Sequence, residues 1–293
     1  MAYIRLKSCN MSKVKLLKTA LFLILTGSVS SLYGQITGFG RIKWDREKIA
    51  PGLLWKSSHT LLNDSVPQNI NVLRVKLKKR KIAISYDPLK NTKVSMHVSG
   101  TDAIAAVNGG FFDMRNGGSV TYLKTAGRIV DKDTAKKWSR NSNINGAVMI
   151  TSGDRVFIDR AMPNSWYDAH TEFEDVLLTG PLMVKGRNKV SLPATSLTIN
   201  KHPRTAIGIR NHRRIILLTL DGRTGEAFGM TIDELADLMK LLRCRDAVNL
   251  DGGGSTTMWI RGKPFNGIVN MPCDNRKFDH EGERPLSDVL VIR

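Results

Sequence analysis

The chain has 293 residues and a formal net charge of +19, with 45 lysine and arginine residues against 26 aspartate and glutamate residues. Such a surplus favours acidic partners such as phosphoglycans or anionic envelope polymers. No nucleic-acid-binding motif accompanies the charge, so we expect no nucleic-acid partner. The 6 histidines and 3 cysteines occur without the spacing of a zinc or metalloprotease motif, and we expect no such metal site.

The N-terminal segment has the pattern of a secretory signal. Lys13, Lys15 and Lys18 precede a short apolar run at 20–25, and small residues follow it. The run is shorter than the roughly 20 residues that span a bilayer. We therefore expect residues 1–34 to be a signal peptide and the protein to be exported, to the periplasm or the extracellular space. A retained anchor is the alternative, so a membrane is a partner only through an uncleaved signal.

The remainder, residues 35–293, is expected to form one domain. It contains no low-complexity linker, and its polar and glycine-rich motifs are spread from 108 to 284. Residues 35–100 are mainly strand-like, whereas residues 101–293 carry the site motifs. Few clear helices and mixed connections predict an α+β fold with a mixed β-sheet core and a strand–helix–strand unit that carries the site.

A hairpin is predicted by two apolar runs, 204–210 and 215–220, on either side of a polar turn. Pairing the residues that flank the turn brings Arg204 opposite Asp221, at the end of the second run. The simplest interpretation of that pair is a structural ion pair. Arg223, just beyond the strand, would supply a second guanidinium, and two such groups suit bidentate binding of phosphate or carboxylate.

A helix is predicted to begin at about Thr231, because Thr231 and Glu234 form a capping-box pattern. Apolar residues follow at helical spacing, at 232, 235, 236, 239 and 242. The next apolar run ends on Asp251. If the strands before and after the helix are parallel neighbours, Asp221 and Asp251 lie side by side, about 5 Å apart in backbone terms, at the sheet edge where ligands bind.

Three consecutive glycines, at 252–254, follow Asp251 and allow a ligand or another backbone to approach it. The pattern fits neither a P-loop nor a dinucleotide-binding loop, since residues 255–260 are β-branched and aromatic and predict a strand. A tight turn without a ligand is the alternative.

These motifs together resemble the phosphodiester glycosidase family. In chain order they are Asn-Gly-Gly-Phe-Phe at 108–112, His-Pro-Arg-Thr-Ala-Ile-Gly at 202–208, Asp-Gly-Arg at 221–223, Leu-Asp-Gly-Gly-Gly-Ser at 250–255 and Glu-Arg-Pro at 283–285. The resemblance covers roughly Pro51 to the C-terminus. It implies hydrolysis of a sugar-1-phosphodiester, of the N-acetylglucosamine-1-phospho-sugar type, into free sugar and phosphomonoester. One departure is Cys273, where a serine is expected.

The resemblance places the catalytic groups on Asp251, Asp221 and Arg204. The substrate-binding residues expected from it and from their hydrogen-bonding chemistry are Asn108, Gly109, Gly110, Thr205, Arg223, Gly252, Gly253, Ser255, Thr256 and Arg284. Because a phosphate leaving group needs little protonation, one carboxylate suffices, and we expect Asp251 to act as base or nucleophile. Asp221 would orient it or stabilise a cationic sugar. No cofactor is expected, and a divalent cation held by both carboxylates is the alternative.

Two other interpretations stay open. The protein could be a non-catalytic envelope or exopolysaccharide glycan-binding or assembly protein on the same scaffold, or a phosphodiesterase that cuts the phosphorus–oxygen bond. Cys244 and Cys273 are the cysteines outside the signal, and they form either one disulfide or buried free thiols.

Overall fold

Residues 42–62, 65–87, 91–131 and 143–293, with Phe39, are described by this computed structural model. The signal peptide expected at 1–34 lies outside them. Ile42 to Arg293 make up one compact unit. Within the described ranges, no helix combines the length and the hydropathy needed to cross a bilayer.

Strands dominate the described residues and form three sheets, numbered here in chain order. The eight-stranded sheet has the order β1 (Asp45–Ala50), β2 (Leu53–Leu62), β3 (Val66–Lys76), β14 (Arg214–Leu220), β13 (Arg204–Asn211), β15 (Asp246–Asn249), β11 (Leu182–Lys185), β12 (Asn188–Lys189). The five-stranded sheet has the order β7 (Arg128–Asp131), β6 (Leu123–Thr125), β10 (Phe173–Thr179), β8 (Gly146–Thr151), β9 (Val156–Arg160). The four-stranded sheet has the order β16 (Met258–Ile260), β5 (Ala105–Asn108), β17 (Asp288–Ile292), β4 (Ile82–Tyr86).

Helices are few and short, in agreement with the predicted α+β class. They are α1 (Val94–His97), α2 (Asn164–Ala169), α3 (Ser196–Ile199) and α4 (Ile232–Leu241). Helix α4 begins after the predicted capping box, in which the Glu234 amide donates to Thr231 Oγ1 at 3.1 Å and the Thr231 amide donates to Glu234 Oε2 at 2.8 Å. Its buried side chains include four of the five predicted apolar positions.

The prediction of a mixed sheet is wrong, because every ladder between the described strands is antiparallel. The elements β14, α4 and β15 do follow one another along the chain. However, β13 pairs with both β14 and β15 and lies between them, so the two strands of the expected strand–helix–strand unit are not neighbours. Strand β14 pairs with one edge of β13, and β15 pairs with the other edge.

The main core lies where the three sheets meet. Its fully buried residues come from all of them and include Leu73, Leu217, Val148, Leu177, Val107 and Leu290. Strands β5 and β15, which carry the glycine-rich motifs, are buried along their whole length. Burial on both faces explains the continuous apolar runs that precede Asn108 and Asp251.

Candidate active site

The glycine-rich motifs meet at one edge of the eight-stranded sheet. Asp221 follows β14 and Asp251 lies just beyond β15, and both strands end at this edge. The predicted hairpin is present, with Arg204 opposite Leu220 instead of Asp221, because the register shifts between Ile209 and Asn211. With β13 between them, β14 and β15 are two strand spacings apart, about 10 Å, so the prediction that the two carboxylates lie side by side is wrong.

Asn108, at the end of β5, fixes the backbone of Asp251. Its Nδ2 donates to the Asp251 carbonyl at 2.7 Å, while its Oδ1 accepts from Thr205 Oγ1 at 2.7 Å and from the Thr257 amide at 3.1 Å. The Asp251 amide donates to the Gly109 carbonyl at 3.0 Å. Asn108 and Thr205 are fully buried. Their polar atoms therefore position the loop that carries Asp251, and the geometry does not favour the substrate contacts predicted for them.

The Asp251 side chain is half-buried at the start of the glycine loop. Burial raises its pKa to about 6, opposed by the Ser255 hydroxyl, by the Gly252 amide and by the charge of Arg284. The Gly252 amide donates to Asp251 Oδ1 at 2.9 Å. A carboxylate with this pKa is largely ionised at neutral pH and readily takes up a proton.

Two guanidinium groups pack directly on the glycines. A Cβ at Gly253 would lie 2.9 Å from Arg223 Nη2, and a Cβ at Gly254 would lie 2.7 Å from Arg284 Cζ. Gly253 also has φ +62°, which disfavours a side chain. The three-glycine sequence thus lets two cations reach the loop that carries Asp251. A turn alone would not require this close approach.

The two cations differ in their partners. Arg284 donates from Nε to Asp274 Oδ1 at 2.8 Å, and its Nη2 forms an ion pair with the same carboxylate. Arg223 is exposed, and its Nη2 lies 3.5 Å from His202 Nδ1. Among the ion pairs between described residues, none involves Arg223. Arg223 is therefore the cation best placed to receive an anionic ligand.

Arg204 is enclosed by backbone carbonyls. It is 1% exposed, and it donates at 2.8 Å to the carbonyls of Met230, Leu197 and Asn200. Burial, with a smaller contribution from the charge of Arg223, lowers the pKa of this guanidinium to about 10. These contacts with backbone carbonyls are structural. Among the ion pairs between described residues, none joins Arg204 to Asp221, so the alternative of a structural ion pair is not supported, and the catalytic role of Arg204 stays a prediction.

Asp221 is equally enclosed. Its carboxylate accepts from Asn69 Nδ2 and Asn270 Nδ2, each at 2.7 Å, and from the Met271 amide at 2.9 Å. Burial raises its pKa to about 7, against these three hydrogen bonds. The residue ties β14 to β3 and to the segment after β16. No group of three or more histidine, cysteine, aspartate or glutamate side chains converges anywhere in the part of the chain described.

Cys244 and Cys273 are buried free thiols. Burial raises the pKa of the Cys273 thiol, while the charges of Arg223 and Arg284 lower it. Cys273, at the position where a serine is expected, thus lies close to the two cations of the loop.

A profile of the phosphodiester glycosidase family matches residues 101–293. The chain belongs to the phosphodiester glycosidase family. It is 25% identical over 179 residues to mouse N-acetylglucosamine-1-phosphodiester alpha-N-acetylglucosaminidase, covering 58% of this chain and 33% of that protein. It is 40% identical over 68 residues to the SPbeta prophage-derived uncharacterized protein YomE of Bacillus subtilis, covering 23% of this chain and 11% of that one. The chain thus spans about a third or less of the length of these curated relatives.

A solved structure from the same family shows the fold. The catalytic domain of zebrafish N-acetylglucosamine-1-phosphodiester alpha-N-acetylglucosaminidase, auto-inhibited by its pro-peptide, superposes with a TM-score of 0.66 at 18% identity, covering 86% of this chain and 87% of that one. A hypothetical protein from Synechocystis superposes with a TM-score of 0.63 at 12% identity, covering 85% and 63%. The phosphodiester glycosidase fold therefore extends beyond the segment matched by the family profile.

The sequence analysis did not identify one buried acid at this site. Asp288, at the start of β17, accepts from the Gly110 amide at 2.7 Å and from Ser287 Oγ at 2.6 Å, and its charge raises the pKa of Asp251. A side chain at Gly109 would collide with it, which accounts for that glycine. The only sequence signal was a charged residue directly before the apolar run 289–292.

Among the predicted binding residues, the two hydroxyls of the glycine loop differ in their contacts. Ser255 and Thr256 are both at most 1% exposed. The Ser255 hydroxyl faces the Asp251 carboxylate, whereas within the described structure Thr256 Oγ1 has no hydrogen-bond partner. Buried hydroxyls normally find partners, so the Thr256 hydroxyl is available to a ligand or water that reaches the loop.

Proposed function

We propose that the protein hydrolyses a sugar-1-phosphodiester, breaking the bond between the anomeric carbon and oxygen and releasing a phosphomonoester. The observation that carries the proposal is the placement of Asp251 on a loop against which Arg223 and Arg284 pack at successive glycines. A phosphodiester presents one negative charge beside an electrophilic anomeric carbon. A carboxylate and two guanidinium groups complement those two features.

In this proposal Arg223 and Arg284 bind the phosphate group. Arg223 is exposed and has no carboxylate partner among the described residues, so an incoming phosphodiester would not displace an existing ion pair there. Arg284 is held by Asp274, which orients its guanidinium over Gly254. The leaving phosphate gains charge as the bond breaks, and guanidinium groups stabilise that charge more strongly than the single charge of the diester.

The reacting carboxylate is assigned to Asp251. Its pKa of about 6 leaves it ionised at neutral pH, either to attack the anomeric carbon or to remove a proton from the attacking water. In both routes the water oxygen ends on the sugar and the bridging oxygen leaves with the phosphate. Little protonation of that leaving oxygen is needed, so a second catalytic carboxylate is not required.

Asp221 and Arg204 become positioning residues in this proposal. The Asp221 carboxylate accepts hydrogen bonds from Asn69, Asn270 and Met271, and Arg204 donates to backbone carbonyls. Each keeps the end of its strand in place, and neither contributes charge to the surface of the glycine loop. The mechanism uses no cofactor, although the assay below includes a chelator so that a divalent-cation requirement is detected.

The substrate class and location are also inferences. The mouse and zebrafish relatives are named for N-acetylglucosamine-1-phosphodiesters. We infer a phosphorylated glycan as the physiological substrate. The sequence of residues 1–34 supports action in the periplasm or outside the cell, where such polymers occur.

The decisive experiment incubates the purified protein with an N-acetylglucosamine-α-phosphodiester of a simple sugar, with and without EDTA, and measures free N-acetylglucosamine. We expect release that survives EDTA, that Asp251→Asn abolishes, and that the exposed matched variant Glu172→Gln leaves unchanged. In oxygen-18 water the label should appear on the sugar. Label on the phosphate would instead establish a phosphodiesterase. Retained ligand binding without turnover in the wild type would establish the glycan-binding alternative.

A further inference from the structure

A second charged surface lies on the face of the eight-stranded sheet that is turned away from the main core. We call it the basic face, and its members are Arg46, Lys48, Lys56, Arg74, Lys76, Arg210 and Arg214. Arg214 begins β14, whereas Asp221 follows its end. Seven residues of strand separate the basic face from the candidate active site by roughly 20 Å along the strand.

Strand register brings these cations together. Arg46 of β1 is opposite Lys56 of β2, and Lys76 of β3 is opposite Arg214 of β14. Arg74 is two residues before Lys76 and therefore projects to the same side. Five adjacent strands thus contribute basic side chains to one surface, an arrangement that costs electrostatic repulsion unless an anion is present.

No acidic side chain compensates this charge within the described structure. None of the ion pairs among those residues includes a member of the basic face. The acidic residues of β1, Asp45 and Glu47, alternate with Arg46 and Lys48 along the strand, so they project to the opposite side. Glu47 bonds there with Lys263.

Lys56 lies at the base of the surface and shows the effect of the missing counter-charge. It is 8% exposed, and its ammonium group lies 4.0 Å from the centre of the Trp44 ring. Burial, and then the charges of Arg46, Arg74 and Arg210, lower the pKa of Lys56 to about 8. A bound anion would offset these repulsions and raise the pKa of Lys56 again.

A cavity of about 280 Å³ opens on this surface and has room for the acid groups of a polymer, not for a large cofactor. Its cationic lining is Lys48, Arg74, Lys76, Arg210 and Arg214, and its other walls are aliphatic. No aromatic ring lines it, so it lacks the stacking platform that single-stranded nucleic acid uses. Guanidinium groups bind phosphate and carboxylate in the same bidentate manner.

We infer that the basic face binds the phosphate or carboxylate groups of an acidic polysaccharide at a site separate from Asp251. The inference does not depend on catalysis, since it concerns equilibrium binding of a polyanion. Together with the proposed hydrolysis, binding at the basic face would hold a long anionic glycan against the protein while one linkage enters the active site. Multivalent contact of this kind raises the effective concentration of linkages near the active site.

The test measures equilibrium binding of dextran sulfate, with neutral dextran and a short DNA duplex as comparison ligands. The wild type should bind dextran sulfate, more weakly as salt rises, and bind neutral dextran undetectably. Arg74→Gln/Arg210→Gln should weaken binding at least tenfold. The matched variant Arg128→Gln/Arg160→Gln removes the same charge from exposed positions of the five-stranded sheet and should weaken binding less than threefold. Hydrolysis of a small phosphodiester should not differ between the two variants.

Equal weakening by both double variants would overturn the inference, because it would reduce the effect to net charge. Tighter binding to duplex DNA than to dextran sulfate would overturn it in favour of a nucleic-acid surface. If Arg74→Gln/Arg210→Gln does not fold, the exposed pair Arg46→Gln/Arg214→Gln replaces it with the same expected loss. Hydrolysis without polyanion binding refutes this inference alone, and binding without hydrolysis refutes only the proposed activity.

Discussion

Substituting Asp221→Asn separates a positioning role from a catalytic one. All three groups that contact the carboxylate are donors, namely Asn69 Nδ2, Asn270 Nδ2 and the Met271 amide. If the asparagine oxygen replaces Oδ2, it keeps the bonds from Asn69 and Met271, and its NH₂ group faces Asn270 Nδ2. One hydrogen bond is then lost and two buried donors confront each other.

The expected cost is about 1–3 kcal/mol in the free energy of unfolding, the range for a buried polar group left unsatisfied. For a domain of this size the melting temperature should fall by roughly 2–4 °C per kcal/mol. The melting temperatures should be compared at about pH 8. At that pH the wild-type carboxylate, with a pKa of about 7, is mostly ionised and accepts all three hydrogen bonds. In the folded fraction kcat/KM should change less than tenfold, because Asp221 does not contribute to the loop surface.

A reciprocal exchange serves as the control. Asp221→Asn/Asn270→Asp moves the carboxylate across the contact and restores a donor–acceptor pair, so part of the lost stability should return. Asn270 also donates to the Thr256 carbonyl at 3.0 Å, and that bond is lost, so recovery should be incomplete. An unchanged melting temperature together with a loss of kcat above a hundredfold would refute the reasoning, because it would place Asp221 on the substrate.

Three further results are expected. Because only ionised Asp251 acts and its pKa is about 6, kcat/KM should fall about tenfold per pH unit below pH 6, and a profile flat to well below that pH would contradict the assignment. Gly254→Ala should raise KM, because the added Cβ displaces Arg284. In the control Gly225→Ala the Cβ meets nothing within 4 Å, so KM should not change. Equal KM values for the two variants would exclude a role for Arg284 in substrate binding. Arg204→Lys leaves buried carbonyls short of donors and should cost about 1–3 kcal/mol of stability with KM unchanged, as chemical denaturation and kinetics can check.

Local features of the fold were predictable from the sequence because their causes are local. Helix α4 begins where Thr231 and Glu234 cap each other, and β14 and β15 coincide with apolar runs. The hairpin before α4 was also predictable, but its register was not. The shift between Ile209 and Asn211 inserts a residue that no composition rule reveals, and it moves Arg204 by one position relative to Asp221.

The arrangement of the site depended on long-range contacts. The neighbour of β15 is β13, which precedes the helix, and no pattern within 215–250 indicates that insertion. Asn108 had the residue type of a sugar-binding donor, yet its amide is used by Asp251, Thr205 and Thr257. The motifs identified the loops that would meet, whereas burial and hydrogen bonding decided which of their side chains remain available to a ligand.

The attachment of Asp251 to the end of β5 makes the proposed activity depend on the association of two sheets. Both the amide and the carbonyl of Asp251 bond to Asn108 and Gly109, more than a hundred residues earlier in the chain. Consider a chain in which the hairpins have formed but the four-stranded sheet has not yet docked onto the eight-stranded sheet. Such a chain contains the complete glycine-rich sequence, but Asp251 is not held in the position that the proposed reaction needs. During mild denaturation, turnover should therefore disappear before the far-ultraviolet signal of the strands, which makes the assay a reporter of how the sheets associate.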